Sequence, residues 1–142
     1  MKIYTAAGWP FRKDTTLINK RLVSEGFNVI STWIEEENGI NTPEAYAKDA
    51  LRDTNQVAEA DVLLAIMTDD KYAYRGTNCE IGVALALNKK IIIVCPGFGE
   101  EKWISENRYN HPYYCMNNVF FWHPGITRVK TLNDAIELLH SY

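Results

Sequence analysis

Short apolar runs and amphipathic segments alternate along the chain. Five apolar runs have the length and composition of strands: 2–6, 27–31, 62–67, 91–94 and 119–122. Three segments have apolar residues at helical spacing, namely 15–25 (or 16–25), 77–88 and 131–140, and a fourth helix is predicted over 42–60 from the signals at its N-terminus. The run 62–67 is apolar throughout, as expected for a strand that is covered on both faces. Strands that alternate with helices over short loops predict a doubly wound, mainly parallel sheet.

The chain length limits the number of domains. A chain of 142 residues fits one domain, which buries roughly 70% of its unfolded surface. The sequence contains no internal repeat, low-complexity tract or domain linker. We therefore predict a single α/β domain over residues 1–142 with a mainly parallel five-stranded sheet. Residues 32–41 are polar and acidic, which predicts a loop, and residues 100–118 have no clear periodicity.

Two of the predicted helices carry N-terminal signals. Thr42 precedes Pro43, which predicts Thr42 as the N-cap and Pro43 as the first helical residue. Thr77 and Glu80 match a capping box, in which the glutamate accepts a hydrogen bond from the threonine backbone N–H. A glutamate in the first turn of a helix, after a strand and a polar loop, also suits a functional site. Both interpretations of Glu80 are open at this point.

Composition and charge argue against several classes of protein. The net charge is −3, the sequence pI is about 5.6, and no Lys/Arg cluster is present, which argues against a partner that is a nucleic acid polymer. No apolar stretch approaches the roughly 18 residues of a membrane span, and the N-terminus lacks the features of a signal peptide. Three widely spaced cysteines argue against a disulfide framework or a structural zinc site. We therefore expect a cytoplasmic protein with no membrane partner.

The sequence lacks the motifs of common cofactors and nucleophiles. There is no GxGxxG, no GxxxxGK[ST] and no GxSxG. Cys79 lies near a predicted helix N-terminus, where a thiolate would be stabilised, but it has no obvious histidine partner. The histidines have no metal-ligand spacing: His111, His123 and His140. We expect neither a metal nor an organic cofactor.

Carboxylates are the remaining candidates for chemistry. Glu80 follows Gly76-Thr77, whose backbone can approach a ligand closely, and Asp53 projects from the preceding helix. Two carboxylates that flank a glycosidic bond suffice for retaining chemistry, in which one attacks the anomeric carbon and a proton donor assists the leaving group. Four aromatic residues are suited to sandwich a flat base: Tyr4, Trp9, Tyr72 and Tyr74. The pairing is not unique, because three more carboxylates are nearby in sequence: Asp49, Asp69 and Asp70.

Three segments carry a family resemblance when they are taken in order. They are Lys2-Ile3-Tyr4 running into Ala7-Gly8-Trp9, then Asp53 eight residues before Asp61-Val62-Leu63-Leu64, then Gly76-Thr77-x-x-Glu80-Ile81-Gly82. Together they resemble the nucleoside 2-deoxyribosyltransferase family over most of the chain up to about residue 94. The resemblance implies a flavodoxin-like architecture, an enzyme without a cofactor, and a homo-oligomer with shared active sites.

The resemblance also implies roles for individual residues. Glu80 matches the nucleophile that forms a covalent deoxyribosyl–enzyme intermediate, and Asp53 matches the residue that contacts the base and helps to protonate it. Tyr4 matches a tyrosine near the nucleophile, and Tyr142 a C-terminal tyrosine whose carboxylate reaches the base site in some members. The remaining substrate contacts are expected at Gly8, Trp9, Tyr74, Arg75, Gly76, Thr77 and Asn118.

Two positions depart from the family pattern. Many members carry an aspartate six residues before the nucleophile, where this chain has Tyr74, so Asp69 or Asp70 would have to substitute. Members also commonly carry an Asn-Leu-Met segment that is donated to a neighbouring subunit, and residues 117–119 are only loosely similar to it. Both departures concern recognition of the sugar 5′ end, so they bear on the substrate more than on the nucleophile.

The predicted function is transfer of a 2-deoxyribosyl group between nucleobases, with retention, through an intermediate on Glu80. One alternative is an N-glycosidase that hydrolyses nucleoside 5′-monophosphates. Arg75 is suited to bind the phosphate of such a substrate. An ordinary solvated arginine, without a ligand, explains this residue equally well. A second alternative is a non-catalytic nucleotide-sensing module, suggested by Tyr74 in place of the aspartate. The expected partners are a nucleoside or nucleotide and a free nucleobase.

Overall fold

Five parallel strands form one sheet at the centre of the protein. The computed structural model describes residues 1–35, 41–99 and 111–142. Within these residues the strands are β1 (Lys2–Ala6), β2 (Asn28–Val29), β3 (Val62–Ile66), β4 (Lys90–Val94) and β5 (Ile126–Val129). Their order in the sheet is β2-β1-β3-β4-β5, and every neighbouring pair is parallel. The prediction of a doubly wound α/β fold is confirmed.

Helices cover both faces of the sheet. They are α1 (Arg12–Ser24), α2 (Pro43–Glu59), α3 (Arg75–Ala86) and α4 (Leu132–His140) among the described residues. Because successive strand residues point to opposite faces, Tyr4 packs in the apolar cluster with α2 and α3, while its neighbour Ile3 packs with α1 and α4. β3 is buried at every position, which matches the continuous apolar run in the sequence.

Local chemistry explains where the helices begin and end. The Thr42 hydroxyl accepts a hydrogen bond from the Ala45 N–H, and Pro43 is the first residue of α2, as predicted. α1 begins at Arg12, before the predicted 15 or 16, and the chain leaves it through Gly26 at φ +91°. No helix within the described ranges has the length and apolar character needed to cross a membrane.

The prediction of the last strand over 119–122 is wrong. Val119–Trp122 forms a 3-10 helix, and the Asn118 side chain accepts a hydrogen bond from the Phe120 N–H to start it. Phe121 alone of these residues is buried in the core, while Val119 and Phe120 are exposed. The fifth strand is instead β5, whose Ile126 pairs with Ile91 of β4. An apolar run produces a strand only where a neighbouring strand can bond to its backbone.

The predicted loop 32–41 is described only in part. Trp33–Glu35 forms a short 3-10 helix with Trp33 buried, and residues 36–40 lie outside the described residues. The aromatic segment 100–118 is described from residue 111 onward, where Tyr114–Asn117 forms another short 3-10 helix. The second strand is also shorter than predicted, because only Asn28 and Val29 pair with β1.

Candidate active site

A cleft opens at the carboxyl ends of β1 and β3. The chain passes from β1 to β2 on one side and returns to β3 on the other, so the two connections diverge here, which is where doubly wound sheets bind ligands. The cleft has a volume of about 170 Å³. Eleven residues line it: Ala7, Gly8, Trp9, Trp33, Asp53, Tyr72, Tyr74, Arg75, Gly76, Thr77 and Glu80.

Glu80 is bonded to Tyr4 across the base of the cleft. Tyr4 is fully buried on β1, and its hydroxyl donates a hydrogen bond of 2.5 Å to Glu80 Oε1 on α3. Burial raises the pKa of Glu80 to about 7, the hydrogen bond from Tyr4 lowers it, and the negative charge of Asp53 raises it. Burial and the same two carboxylates raise the pKa of Tyr4, so its hydroxyl stays a donor. Glu80 is therefore a carboxylate that changes charge near neutral pH.

The capping-box interpretation of Glu80 is wrong. α3 begins at Arg75, with Tyr74 as N-cap, so Thr77 lies inside the helix and Glu80 lies beyond its first turn. Thr77 is buried and its hydroxyl oxygen has no hydrogen-bond partner among the described residues. The Glu80 carboxylate bonds to Tyr4 instead of to the helix backbone. Its position serves the cleft rather than the start of the helix.

Asp53 brings a second carboxylate from α2. Its Oδ1 accepts hydrogen bonds from Arg52 Nε at 3.0 Å and Nη2 at 2.9 Å, while Arg52 Nη1 donates to Asp49 at 3.3 Å. Burial raises the pKa of Asp53, the adjacent Arg52 lowers it, and the charge of Asp49 raises it. The cleft thus contains two carboxyl groups, and the charge of Asp53 raises the pKa of Glu80.

The turn after β1 allows a close approach that only glycine permits. A Cβ on Gly8 would lie 2.3 Å from Tyr72 Cε1. Tyr72 in turn packs edge-on against Phe11, with ring centroids 5.4 Å apart. Trp9, beside Gly8, is partly exposed and tilts toward Trp33, with ring centroids 6.5 Å apart. The two indole rings supply an aromatic wall to the cleft.

Tyr74 occupies the position where the family pattern has an aspartate. Its backbone is left-handed (φ +49°), its ring is buried against Phe11 and Tyr72, and its hydroxyl accepts a hydrogen bond from the Asp69 N–H. The Asp69 carboxylate accepts from the Lys71 and Tyr72 N–H groups of the same turn. Neither Asp69 nor Asp70 lines the cleft.

Two of the predicted contact residues are away from this cleft. Asn118 caps the 3-10 helix through its side chain and does not line the cleft. Tyr142 lies over Lys90, whose Nζ is 3.6 Å from its ring centroid. Lys90 begins β4, so Tyr142 lies near the amino ends of the strands, whereas the cleft lies at their carboxyl ends. Arg75 and Gly76, in contrast, line the cleft at the N-terminus of α3.

The sequence did not single out Trp33 or Arg52. Trp33 is placed by its indole N–H, which donates to the Thr5 carbonyl at 2.7 Å, and its only signal was a bulky apolar residue in a polar loop. Arg52 carried no signal except its position beside Asp53. In the ranges that the structure describes, no group of three or more His, Cys, Asp and Glu side chains is arranged to hold a metal ion.

The fold and the cleft together define a class of protein. A parallel α/β sheet carries, at its switch point, two interacting carboxyl groups and an aromatic wall. Such a cleft suits a flat ligand with a polar substituent, and paired carboxyl groups are the apparatus of glycosidic bond chemistry.

The chain belongs to the nucleoside 2-deoxyribosyltransferase family, since the model of that family matches residues 3–112. This confirms the resemblance found in the sequence. Members of the family transfer or hydrolyse glycosyl groups and act on nucleosides or nucleotides and nucleobases. No protein with a curated description matches the chain in sequence.

Solved structures share the fold along nearly the whole chain. A conserved protein from Enterococcus faecalis V583 has a TM-score of 0.66 at 21% identity, over 99% of this chain and 98% of its own. The 2-deoxyribosyltransferase of Bacillus psychrosaccharolyticus has a TM-score of 0.61 at 20% identity, over 92% of this chain and 100% of its own. The CMP N-glycosidase BcmB of Clostridium botulinum has a TM-score of 0.55 at 16% identity, over 100% of both chains. The likeness supports the flavodoxin-like architecture.

Proposed function

We propose that this protein transfers a 2-deoxyribosyl group between nucleobases, with Glu80 as the nucleophile. The observation that carries the proposal is the Tyr4–Glu80 hydrogen bond of 2.5 Å in a cleft that also contains Asp53. Tyr4 orients one oxygen of Glu80, and the other is left to face a ligand. A carboxylate fixed in this way, next to a second carboxyl group, is the arrangement that retaining chemistry requires.

The reaction follows from these positions in two steps. The Glu80 carboxylate attacks C1′ of a deoxynucleoside, the C1′–N bond breaks, and its electron pair leaves with the base. Asp53 contacts the base and, in its protonated form, donates its proton to the departing base nitrogen. A nitrogen of a second base then attacks C1′ and gives its N–H proton to Asp53, the ester bond to Glu80 breaks to restore the carboxylate, and the two inversions give net retention.

The protonation state of Glu80 sets a condition on the first step. A carboxylic acid is a poor nucleophile, so Glu80 must lose its proton before it attacks. Because burial raises its pKa to about 7, only part of the protein is ready at neutral pH. The same burial leaves the ionised oxygen weakly solvated and therefore more reactive.

Hydrolysis of a nucleoside 5′-monophosphate is the second candidate function. Arg75 is exposed, lines the cleft and begins α3, where the helix N-terminus also favours an anion. Water would then replace the second base in the second step. A third candidate, a nucleotide sensor, is motivated by the buried Tyr74 at the aspartate position. The oligomeric state and the cytoplasmic location stay predictions.

Incubation with deoxyinosine and free adenine tests the proposal. Formation of deoxyadenosine supports transfer, whereas release of deoxyribose alone supports hydrolysis; the same assay with nucleoside 5′-monophosphates and water tests the second candidate. Thermal stabilisation by a nucleotide without any turnover would favour the sensor.

The variant Glu80→Gln tests the mechanism. We expect base exchange to fall by about three orders of magnitude or more, because the amide cannot form the intermediate. The control is Glu137→Gln, which removes an exposed carboxylate from α4. Base exchange at the wild-type rate in Glu80→Gln would exclude Glu80 as the nucleophile.

A further inference from the structure

Arg52 makes an unusual contact with its own neighbour in the helix. Consecutive residues of an α-helix point about 100° apart and do not normally face each other. The Arg52 side chain nevertheless curls back so that two of its N–H groups, Nε and Nη2, reach Asp53 Oδ1 at 3.0 and 2.9 Å. A third N–H, on Nη1, reaches Asp49 at 3.3 Å, one turn earlier on α2.

Both short bonds fall on the same oxygen of Asp53. Its Oδ2 has no hydrogen-bond partner among the described residues, and Asp53 lines the cleft. A carboxylate that is held at one oxygen by two N–H groups of a planar guanidinium cannot rotate freely. The contact thus fixes one oxygen and leaves the other available to a ligand.

The charge of Arg52 also acts beyond Asp53. The hydrogen bonds and then the charge of Arg52 lower the pKa of Asp53 against the effect of burial, and the charge also lowers the pKa of Tyr4, which burial, Glu80 and Asp53 raise. Asp49, on the other side of the guanidinium, raises the pKa of Asp53. Among the residues that the structure describes, the charged and titratable groups that act with Asp53 are Arg52, Asp49, Glu80 and Tyr4.

We propose that Arg52 is a positioning residue, which holds Asp53 by Oδ1 so that Oδ2 contacts the nucleobase. This rests on the proposed function, in which Asp53 assists the departing base. Arg52 acts through Asp53 and does not itself contact the substrate. A lysine does not replace it, because an ammonium is a compact charge without the planar fork that delivers two N–H groups to one oxygen.

Three variants separate the geometry of this contact from its charge. Arg52→Gln removes both the charge and the fork, so we expect kcat to fall by about ten- to a hundredfold with a smaller change in KM. It also raises the pKa of Asp53, so the limb of the pH profile that reports Asp53 moves to higher pH. Arg52→Lys keeps the charge but loses the fork, so the limb moves less than in Arg52→Gln while kcat remains reduced.

The matched control is Asp49→Asn. It removes a negative charge whose effect on Asp53 is opposite to that of Arg52, so the pKa of Asp53 falls and the limb moves to lower pH. The fork on Asp53 stays in place, so kcat stays within about twofold of wild type. The proposal would be overturned if Arg52→Gln had the kcat and the pH profile of wild type. It would also be overturned if the limb that reports Asp53 moved equally, and in the same direction, in Arg52→Gln and Asp49→Asn.

A measurement without turnover separates this inference from the proposed function. The pKa of Asp53 is followed by carbon-13 NMR of the side-chain carboxyl groups, with Asp53→Asn to assign its signal. We expect the pKa of Asp53 to be higher in Arg52→Gln and lower in Asp49→Asn than in wild type. An unchanged pKa of Asp53 in Arg52→Gln would refute the inference even if the enzyme is active. Absence of any turnover by the wild-type protein would refute the proposed function alone. If Arg52→Gln does not fold, Arg52→Lys still tests the geometry through kcat.

Discussion

Glu80 is held between a hydrogen-bond donor and a second carboxyl group. Burial and Asp53 raise its pKa, while the Tyr4 hydroxyl lowers it, and burial dominates, so the pKa is about 7. Because these effects oppose each other, the Glu80 carboxyl group still ionises near neutral pH although it is buried. Once it is ionised, the weak solvation that burial causes makes it reactive. Removing either neighbour should therefore shift the balance in a known direction.

The variant Tyr4→Phe should move the acid limb of the kcat/KM profile to higher pH. It removes the hydrogen bond that stabilises ionised Glu80, so the pKa of Glu80 rises above about 7. A bond to a charged group contributes about 1.5–3 kcal/mol, which corresponds to a shift of about one pH unit or more. Tyr46→Phe on the exposed face of α2 is the control. A limb that moves to lower pH would contradict this role of Tyr4.

The folded state of wild type should lose stability as pH rises toward neutrality. The folded pKa of Glu80, about 7, lies above its ordinary value of 4.5, so the folded protein binds more protons between these values. The free energy of unfolding due to Glu80 then falls from about pH 4.5 and is lowest above pH 7. Glu80→Gln lacks this loss, so it should exceed wild type by about 2–3 kcal/mol at pH 8 and match it at pH 4. Urea unfolding at both pH values measures the difference, and equal stability at pH 8 would refute a raised pKa.

At the scale of elements, the loops after β1 and β3 share one surface of the cleft. Gly8 lies in the loop after β1 and Tyr72 lies in the loop after β3. The two residues are so close that a Cβ on Gly8 would have no room. Tyr72 is itself fixed by edge-on packing against Phe11 and Tyr74. The two loops therefore hold each other in place, and the cleft depends on their contact.

The variant Gly8→Ala should both destabilise the protein and impair substrate binding. Its Cβ would lie 2.3 Å from the Tyr72 ring, so the ring has to move, at a cost of about 1–3 kcal/mol. KM should rise because the displaced ring lines the cleft. The control is Gly82→Ala inside α3, where a Cβ meets nothing within 4 Å. That change should stabilise the helix by up to about 1 kcal/mol, and similar melting temperatures for the two variants would count against the loop contact.

At the scale of the whole molecule, one chain supplies only part of the predicted set of contacts. The cleft gathers residues from the loops after β1 and β3 and from α2 and α3, whereas Asn118 caps the 3-10 helix Val119–Trp122 and Tyr142 packs on Lys90 at the start of β4. If Asn118 and Tyr142 take part in catalysis, they do so in the cleft of another copy. This is compatible with the homo-oligomer that the sequence predicts.

Mixing two inactive variants tests whether active sites are shared. In a dimer of Glu80→Gln with Asn118→Ala, one of the two sites combines an intact Glu80 with an intact Asn118. Random reassociation should therefore restore roughly a quarter of wild-type base exchange. Sedimentation of the wild-type protein gives the oligomer size, with doubly substituted Glu80→Gln/Asn118→Ala as the negative control. Activity equal to the average of the separate variants would show that Asn118 does not act across subunits.

The sequence by itself determined the alternation of strands and helices, the N-cap at Thr42, and Glu80 and Asp53 as the carboxylates to consider. These features follow from periodicity and local motifs, which depend on residues close together in the chain. The last strand was misplaced because Val119–Trp122 is apolar, yet no strand among the described residues pairs with it.

Only the tertiary structure decided the surroundings of Glu80 and Asp53. Tyr4 and Glu80 are 76 positions apart, and their hydrogen bond exists because β1 and α3 meet beneath the cleft. The same packing buries Glu80 and raises its pKa, which no local pattern can predict, since desolvation depends on every neighbouring element. The two hydrogen bonds from Arg52 to Oδ1 of Asp53 likewise depend on the conformation of the Arg52 side chain, which the sequence does not show. Sequence identifies the carboxylates, and packing sets their charge and direction.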